Sequence, residues 1–384
     1  MSKVLVIVER FYPEDFLVND LVKAWKEKGD DIEVLTQVPS YPFDKIFDGY
    51  ENKRLQTTRE YLDIPVHRVN TIFGYNTSVK RKILNYLHFG WRTMLWCLWR
   101  GRRFDRVFVY HTAALTMAMG VWPLKFVWRK PITIWTQDLW PDAVYAYGFK
   151  PRWWKALILN AFVKSIYACC RRITVSCPSY AGRIRELTGC ESEFVPQWDP
   201  TEMQVGPKAG DPTKKVFMFA GNLGVPQDLP NVIEGFGRAA REDAELWMVG
   251  SGVMLEPLKQ LVAERDIKNV LFKGRQPKAE MGKWFALADV LIISLTSEYR
   301  LTLPGKFQSY IKTGKPLLGI LQGDARKMIE AENLGATADP EDVDSIATAF
   351  REFPFEKAGE MGARCLALSS ARFDREKLTD VLRP

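Results

Sequence analysis

The sequence predicts an α/β protein built on two doubly wound parallel sheets, and three observations predict it. The N-terminus reads strand, helix, strand: Lys3 to Glu9 is apolar, a helical pattern runs from about Asn19 to Lys28, Gly29 ends it, and Ile32 to Thr36 is a second apolar run. These runs do not alternate polar with apolar residues, which is the mark of strands covered on both faces. The same order starts again at Val216 to Ala220, after a tract from Thr201 to Lys215 that is rich in Gly, Pro and charge. A chain of 384 residues holds two such domains with ample material for their cores.

Composition narrows the class. Hydrophobic content of 47% and charged content of 26% are those of a globular chain and exclude disorder. Six cysteines, without CxxC spacing and with Cys169 and Cys170 adjacent, fit neither a disulfide framework nor a zinc site, and point to a reducing compartment. Met1 to Glu9 begins as a strand without an h-region, so no signal peptide is expected and the Asn76-Thr77-Ser78 sequon carries no weight. Val107 to Leu124 is the one stretch long enough to be mistaken for a membrane span. Its β-branched opening, His111, Thr112 and Pro123 read instead as a buried strand followed by a buried helix.

Net charge is +8 and unevenly spread. From Lys80 to Arg106 eight basic residues face a single acid, Asp105, among Tyr86, Phe89, Trp91, Trp96, Trp99 and Phe104. From Lys150 to Arg172 there is no acid, and Trp153, Trp154 and Tyr167 lie among the cations. Basic helices rich in tryptophan suit an anionic membrane surface, where rings sit at headgroup depth and cations meet phosphate. Alternatively the aromatics are core and the charges a solvated face. Nucleic acid is the third partner such charge allows, and no RNP, helix-turn-helix or zinc-finger pattern supports it.

In chain order, the first strand opens onto the loop Arg10 to Phe16, and Arg106 to Tyr110 is a strand with His111 directly after it. His67 lies in a strand-like VHRV and His88 in the aromatic helix, so His111 alone stands where a doubly wound sheet gathers ligands; a satisfied structural histidine is the competing reading. Ile132 to Thr136 leads into Gln137-Asp138-Leu139-Trp140-Pro141-Asp142. Asp138 is thereby a carboxylate at a strand's carboxyl end, able to orient a sugar hydroxyl, or else a cap for the helix beyond Pro141. A strand from Ile173 to Ser176 and a helix through Leu187 finish the first half.

In the second half, Val216 to Ala220 runs into Gly221-Asn222-Leu223-Gly224, with a helix from about Leu229. Glu245 to Val249 ends at Gly250-Ser251-Gly252, and Asn269 to Phe272 ends at Gly274-Arg275-Gln276-Pro277. Glycine, amide or cation is thus delivered repeatedly to one sheet edge, as binding a diphosphate demands. The buried strand Val290 to Ser294 leads to Ser297–Pro316, in which Pro304 and Gly305 punctuate a loop and Lys306 to Lys312 reads as a short helix ended by Gly314 and Pro316. Lys306 then sits at a helix N-terminus, where a lysine costs stability unless an anion offsets it. It is a phosphate ligand, or a solvated lysine beside a turn.

These residues resemble retaining GT-B glycosyltransferases of glycosyltransferase family 4, in its bacterial polysaccharide branch. The motifs stand in order as Phe11-Tyr12-Pro13-Glu14, Pro39-Ser40-Tyr41-Pro42 with Gly49-Tyr50, Asp138-Leu139-Trp140-Pro141, Gly221-Asn222-Leu223-Gly224, Pro304-Gly305-Lys306, Tyr310-Ile311 and Gly314-Lys315-Pro316. Glu193 to Pro200 resembles the family's interdomain linker. The resemblance implies two Rossmann-like domains facing a cleft: an acceptor domain over residues 1–198 with membrane-facing helices, a nucleotide-sugar domain over 199–370, and a C-terminal helix at 371–384 crossing back to the first. Two departures stand out. The first loop has none of the usual glycines, and the family's Glu-x7-Glu motif, whose second glutamate holds the donor ribose, falls on Leu301 and Ser309. The lysine usual shortly after Gly224 is also missing, Gln227 and Asp228 standing there, which leaves more of the diphosphate to Lys306 with Arg275.

What the resemblance implies for function is transfer of a sugar, with retention, from a nucleotide diphosphate donor such as a UDP-sugar to a polyprenyl-linked or polysaccharide acceptor, in bacterial cell-surface glycan (lipopolysaccharide) biosynthesis. His111, Asp138 and Lys306 are the expected catalytic residues. Gly221, Asn222, Gly224, Gly250, Gly252, Arg275, Gln276, Gly305, Lys306 and Ser309 are expected at the donor, with the Arg275-Gln276 backbone at the base. Phe11, Tyr12, Tyr41 and Trp140 are expected at the acceptor. No Asp-x-Asp metal motif with a flanking apolar strand is present, so a metal-independent reaction without cofactor is expected, on the cytoplasmic face of the plasma membrane and without nucleic acid. The alternatives are a sugar-nucleotide epimerase of the same architecture and a non-catalytic nucleotide- or lipid-binding scaffold.

Overall fold

The computed structural model describes residues 2–75, 77–146, 152–207, 209, 211 and 213–384. Asn76, Lys150 and three positions of the 201–215 tract lie outside them. The chain divides into two compact units, Met1–Pro196 with Glu376–Pro384, and Gln197–Arg375.

The first unit holds strands β1 (Lys3–Val8), β2 (Asp31–Gln37), β3 (Leu55–Thr58), β4 (Val66–Val69), β5 (Arg106–His111), β6 (Ile132–Thr136), β7 (Arg172–Val175) and β8 (Glu193–Phe194). They form one sheet in the order β3-β4-β2-β1-β5-β6-β7-β8, parallel except for the β3–β4 pair. Leu5 of β1 pairs with Glu33 on one side and Val107 on the other, so β1 is the centre from which the chain winds both ways. Its side chains are buried on both faces, which is why the sequence shows no alternation. The order reverses between β1 and β5, the crevice position where open α/β sheets bind ligands.

The C-terminal helix Arg375–Val381 closes this unit. Trp25, buried on the helix Leu17–Glu27, donates its indole N–H to the Thr379 carbonyl at 2.7 Å; Lys28 pairs with Asp380 at 2.5 Å, and the Arg383 guanidinium grips Asp30 at 2.7 and 2.8 Å. The bidentate geometry and the burial of Thr379 and Leu382 make this a packed part of the first core.

The second unit holds β9 (Lys215–Ala220), β10 (Ala244–Val249), β11 (Val270–Gly274), β12 (Val290–Ser294), β13 (Leu317–Ile320) and β14 (Gly335–Ala338). They form an all-parallel sheet ordered β11-β10-β9-β12-β13-β14. Phe217 anchors its core, ringed edge-on by Phe350, Phe353 and Phe355. Here the order reverses between β9 and β12.

One local expectation shifts. His111 is the last residue of β5 rather than the first beyond it. Pro123 lies in the first turn of the helix Val121–Phe126, where a missing N–H costs little.

Candidate functional site

The crevice of the second unit exists because two strands part. β9 stays paired with β10 through Val249↔Ala220, but its ladder to β12 is confined to Val290↔Phe217 and Leu291↔Met218. Beyond that point the hydroxyl of Tyr310, from the helix Gly305–Ile311, accepts from the Ala220 N–H at 3.0 Å and donates to the Ala220 carbonyl at 2.9 Å.

Lys306 lies one turn earlier on that helix, so it and Tyr310 share a face. Its Nζ sits 4.0 Å above the centre of the Phe219 ring, and its Cε lies 2.6 Å from where a Cβ on Gly221 would be. Any other residue at Gly221 would therefore displace the lysine. Among the described residues Lys306 has no hydrogen-bond or ion-pair partner. Burial holds its pKa down at about 8, since a desolvated ammonium without a counter-charge sheds its proton more readily. The hydroxyls of Ser294, Thr296 and Ser297, at the end of β12 and just beyond, are buried without partners.

The glycine loops are bound to each other. Gly221 N–H donates to the Val249 carbonyl at 2.8 Å, Leu223 N–H to Ser251 at 2.9 Å and Gly250 N–H to Gly274 at 2.8 Å. Gly250 has φ 146°, and a Cβ there would meet the Gly221 carbonyl oxygen at 1.8 Å; one on Gly252 would meet the Leu223 oxygen at 2.3 Å. These two glycines serve close backbone packing. Gly224 is buried and donates to the Gln227 side chain, whereas Gly221, Asn222, Arg275 and Gly305 are exposed. Gln276 donates to the Lys273 carbonyl at 2.6 Å, and Ser309 to Gly305 within the helix at 3.3 Å.

In the first unit the carboxyl end of β1 carries buried charge that the sequence reading passed over. Arg10 lies 3.5 Å from both Glu9 and Glu14 and donates to the Ser40 hydroxyl at 3.0 Å. Glu14 accepts the backbone N–H groups of Ser40 and Tyr41 at 3.0 and 2.7 Å, which ties the β1 loop to the β2 loop. One oxygen of Glu9 and one of Glu14 have no partner. Burial pushes both carboxyls above their ordinary range, Arg10 opposing. The juxtaposition of Glu9 and Arg10 directly after an apolar strand was the available clue, because charge abutting a buried strand demands a partner.

His111 is fully buried with both ring nitrogens unpartnered, and that burial lowers its pKa to about 3, so the ring is neutral. Asp138 accepts the Ala113 N–H at 2.7 Å, tying the β6 loop to the β5 loop rather than capping the helix that begins at Asp142. Burial raises its pKa. Glu9 and Asp138 lie close enough for each other's charge to matter. Of the expected acceptor residues, Phe11 is buried edge-on against Tyr61, Trp140 is half-buried, and Tyr12 and Tyr41 present exposed rings.

Residues 214–353 match the family model of glycosyl transferases group 1. That segment spans β9 to β14 and with them Gly221 and Lys306. Among solved structures, the lipopolysaccharide outer core galactosyltransferase WaaB in its apo form superposes with a TM-score of 0.67 at 13% identity, over 99% of this chain and 98% of that one. Anabaena Alr3699/HepE in complex with UDP-glucose does so at 0.65 and 12%, over 100% and 98%. The fold is that of the GT-B glycosyltransferases. A curated relative, the probable glycosyltransferase WbjE of Pseudomonas aeruginosa, is 26% identical over 168 residues, 42% of this chain; the chain thus matches about two fifths (41%) of that relative's length.

Proposed function

We propose that this protein is a retaining, metal-independent glycosyltransferase that moves a hexose from a UDP-sugar to a lipid-linked or polysaccharide acceptor in bacterial cell-surface glycan assembly. The observation that carries the reading is Lys306: a partly buried ammonium without a counter-charge, against a bare glycine, at the switch point of a parallel sheet. A diphosphate supplies the missing charge. The group 1 match over the same segment and the UDP-glucose held by the Anabaena protein support a nucleotide-sugar donor.

The chemistry follows from where charge develops. The bond from the sugar's anomeric carbon to the diphosphate oxygen breaks, and the acceptor oxygen bonds to the same carbon on the same face. The acceptor's proton passes to the departing diphosphate. Lys306, with Arg275, stabilises the negative charge that grows on the leaving group, and loss of one such contact costs about a hundredfold or more in rate. In the first unit His111, neutral, and Asp138 are the groups proposed to orient a sugar hydroxyl, and Tyr12 and Tyr41 offer rings to the acceptor.

The first unit meets the anionic inner face of the plasma membrane. Both the helix Val79–Arg100 and the helix Trp153–Cys169 pack on Val121–Phe126. Phe89, Trp96 and Tyr167 go to the core, whereas Trp91, Trp99, Trp153, Trp154, Leu157 and Ile158 are exposed among the cations. Trp99 and Trp153 are 80% and 79% exposed, a cost in water that headgroups remove. Among the described residues no helix is long and apolar enough to cross a membrane.

Thermal melting against a panel of nucleoside diphosphates and their sugars, with and without EDTA, tests the donor assignment. A rise with uridine nucleotides that survives EDTA is expected. No rise with any nucleotide would remove the reading.

A further inference from the structure

We infer that Tyr310 is a positioning residue for Lys306: its hydroxyl wedges β9 from β12 and fixes the helix that carries the lysine, and so sets the affinity of the second unit for a nucleoside diphosphate. This rests on the reading of Lys306 as the diphosphate ligand.

Three consecutive residues of the β9 end meet the helix at two points. Lys306 covers Phe219 and Gly221; Tyr310 takes Ala220 between them. The Gly221 N–H points to β10, where it bonds Val249, so Ala220, one residue earlier in the strand, turns its N–H and C=O the other way, toward β12. Without Tyr310 those two groups would either continue the ladder and close the crevice or stay buried and unpaired. A phenol is suited to the position because one hydroxyl both accepts and donates. Burial raises the Tyr310 pKa, so the group stays neutral and keeps both roles. The ring is held independently, edge-on to Phe285 at 5.6 Å, and is 1% exposed.

Tyr310→Phe therefore keeps the packing and removes only the wedge. UDP affinity measured calorimetrically is expected to fall about tenfold at a temperature where the variant is fully folded. The decline of UDP affinity above pH 8, which reports Lys306, is expected to move to higher pH as the lysine relaxes toward water. Phe285→Leu is the control, since it removes the edge-on contact with the Tyr310 ring and leaves the two hydroxyl bonds that hold the helix in place. It is expected to lower the melting temperature and leave both UDP readouts unchanged. Equal weakening of UDP binding by the two variants, or a Tyr310→Phe protein that binds UDP as the wild type does, would overturn the proposal. Wild-type binding by Lys306→Ala would instead remove the diphosphate reading beneath it. Amide exchange in the unmodified protein gives a second measurement: saturating UDP is expected to slow exchange at Ala220 at least about tenfold, and an unchanged rate would also overturn the wedge.

Discussion

If Lys306 is held charged and unpaired to await an anion, replacing it with methionine should stabilise the protein while abolishing nucleotide binding. The magnitude follows from the lysine's surroundings. Its pKa falls from 10.5 to about 8, and each unit is worth about 1.4 kcal/mol, so keeping the ammonium protonated at pH 7 costs about 3 kcal/mol. The contact with the Phe219 ring returns about 1 kcal/mol of that. Methionine retains an unbranched chain over the ring and has no charge to desolvate, leaving a net gain of about 2 kcal/mol. For a unit of this size that raises the melting temperature by about 4–8 °C. The assay is differential scanning calorimetry of both proteins at pH 7, each with and without UDP. The wild type should gain stability on adding UDP; the variant should start higher and gain nothing. A Lys306→Met protein that melts below the wild type, or that still responds to UDP, would refute the idea of an uncompensated charge kept for a ligand.

Other outcomes follow from the same geometry. UDP affinity should be highest below pH 8 and decline as pH rises through the lysine's pKa near 8, and Lys306→Arg, which stays protonated, should flatten that profile in calorimetric titrations. Gly250→Ala, whose Cβ would meet the Gly221 oxygen at 1.8 Å, should cost more than about 3 kcal/mol by urea denaturation, whereas Gly305→Ala, with nothing within 4 Å of its Cβ, should change stability by less than about 0.5 kcal/mol. Glu33 is buried, which alone would raise its pKa, but hydrogen bonds from His67 and Lys3 and the charge of Arg103 bring it down to about 2. Its contribution is thus complete above the unfolded value near 4.5 and lost as pH falls from there through about 2, so Glu33→Gln should remove part of the acid sensitivity seen in a pH series of melts. Trp99→Ser with Trp153→Ser should weaken binding to phosphatidylglycerol vesicles about tenfold or more in sedimentation assays and leave UDP binding unchanged.

Much of the fold was legible because its strands are buried on both faces. Runs such as Lys3–Val8 and Val290–Ser294 cannot be amphipathic elements, and their repetition on either side of a Gly- and Pro-rich tract leaves a doubly wound pair as the economical arrangement. Which aromatics of the basic helix face outward was also written in the chain. The buried positions Asn85, Phe89, Thr93, Trp96 and Cys97 recur at three- and four-residue steps, and Trp91 and Trp99 fall off that stripe. Net charge and aromatic content alone obscure this, because both sets lie in one stretch.

The crevices were less legible, because the contacts that make them join residues far apart in the chain. The bond between Tyr310 and Ala220 spans ninety positions, and no local pattern announces that β9 and β12 part after Met218. The tyrosine could be noticed only as part of a motif, without a role. The glycines show the converse. Read as backbone left bare for a phosphate, Gly221, Gly250 and Gly252 looked equivalent, yet Gly250 and Gly252 are small because carbonyl groups of the neighbouring loop occupy the space of their side chains, while Gly221 is small because Lys306 does. One glycine therefore leaves room for the lysine, and two let the glycine loops pack against each other. A sequence pattern records that a side chain is missing, and only the neighbours tell whether a ligand, a backbone or another side chain has taken its place.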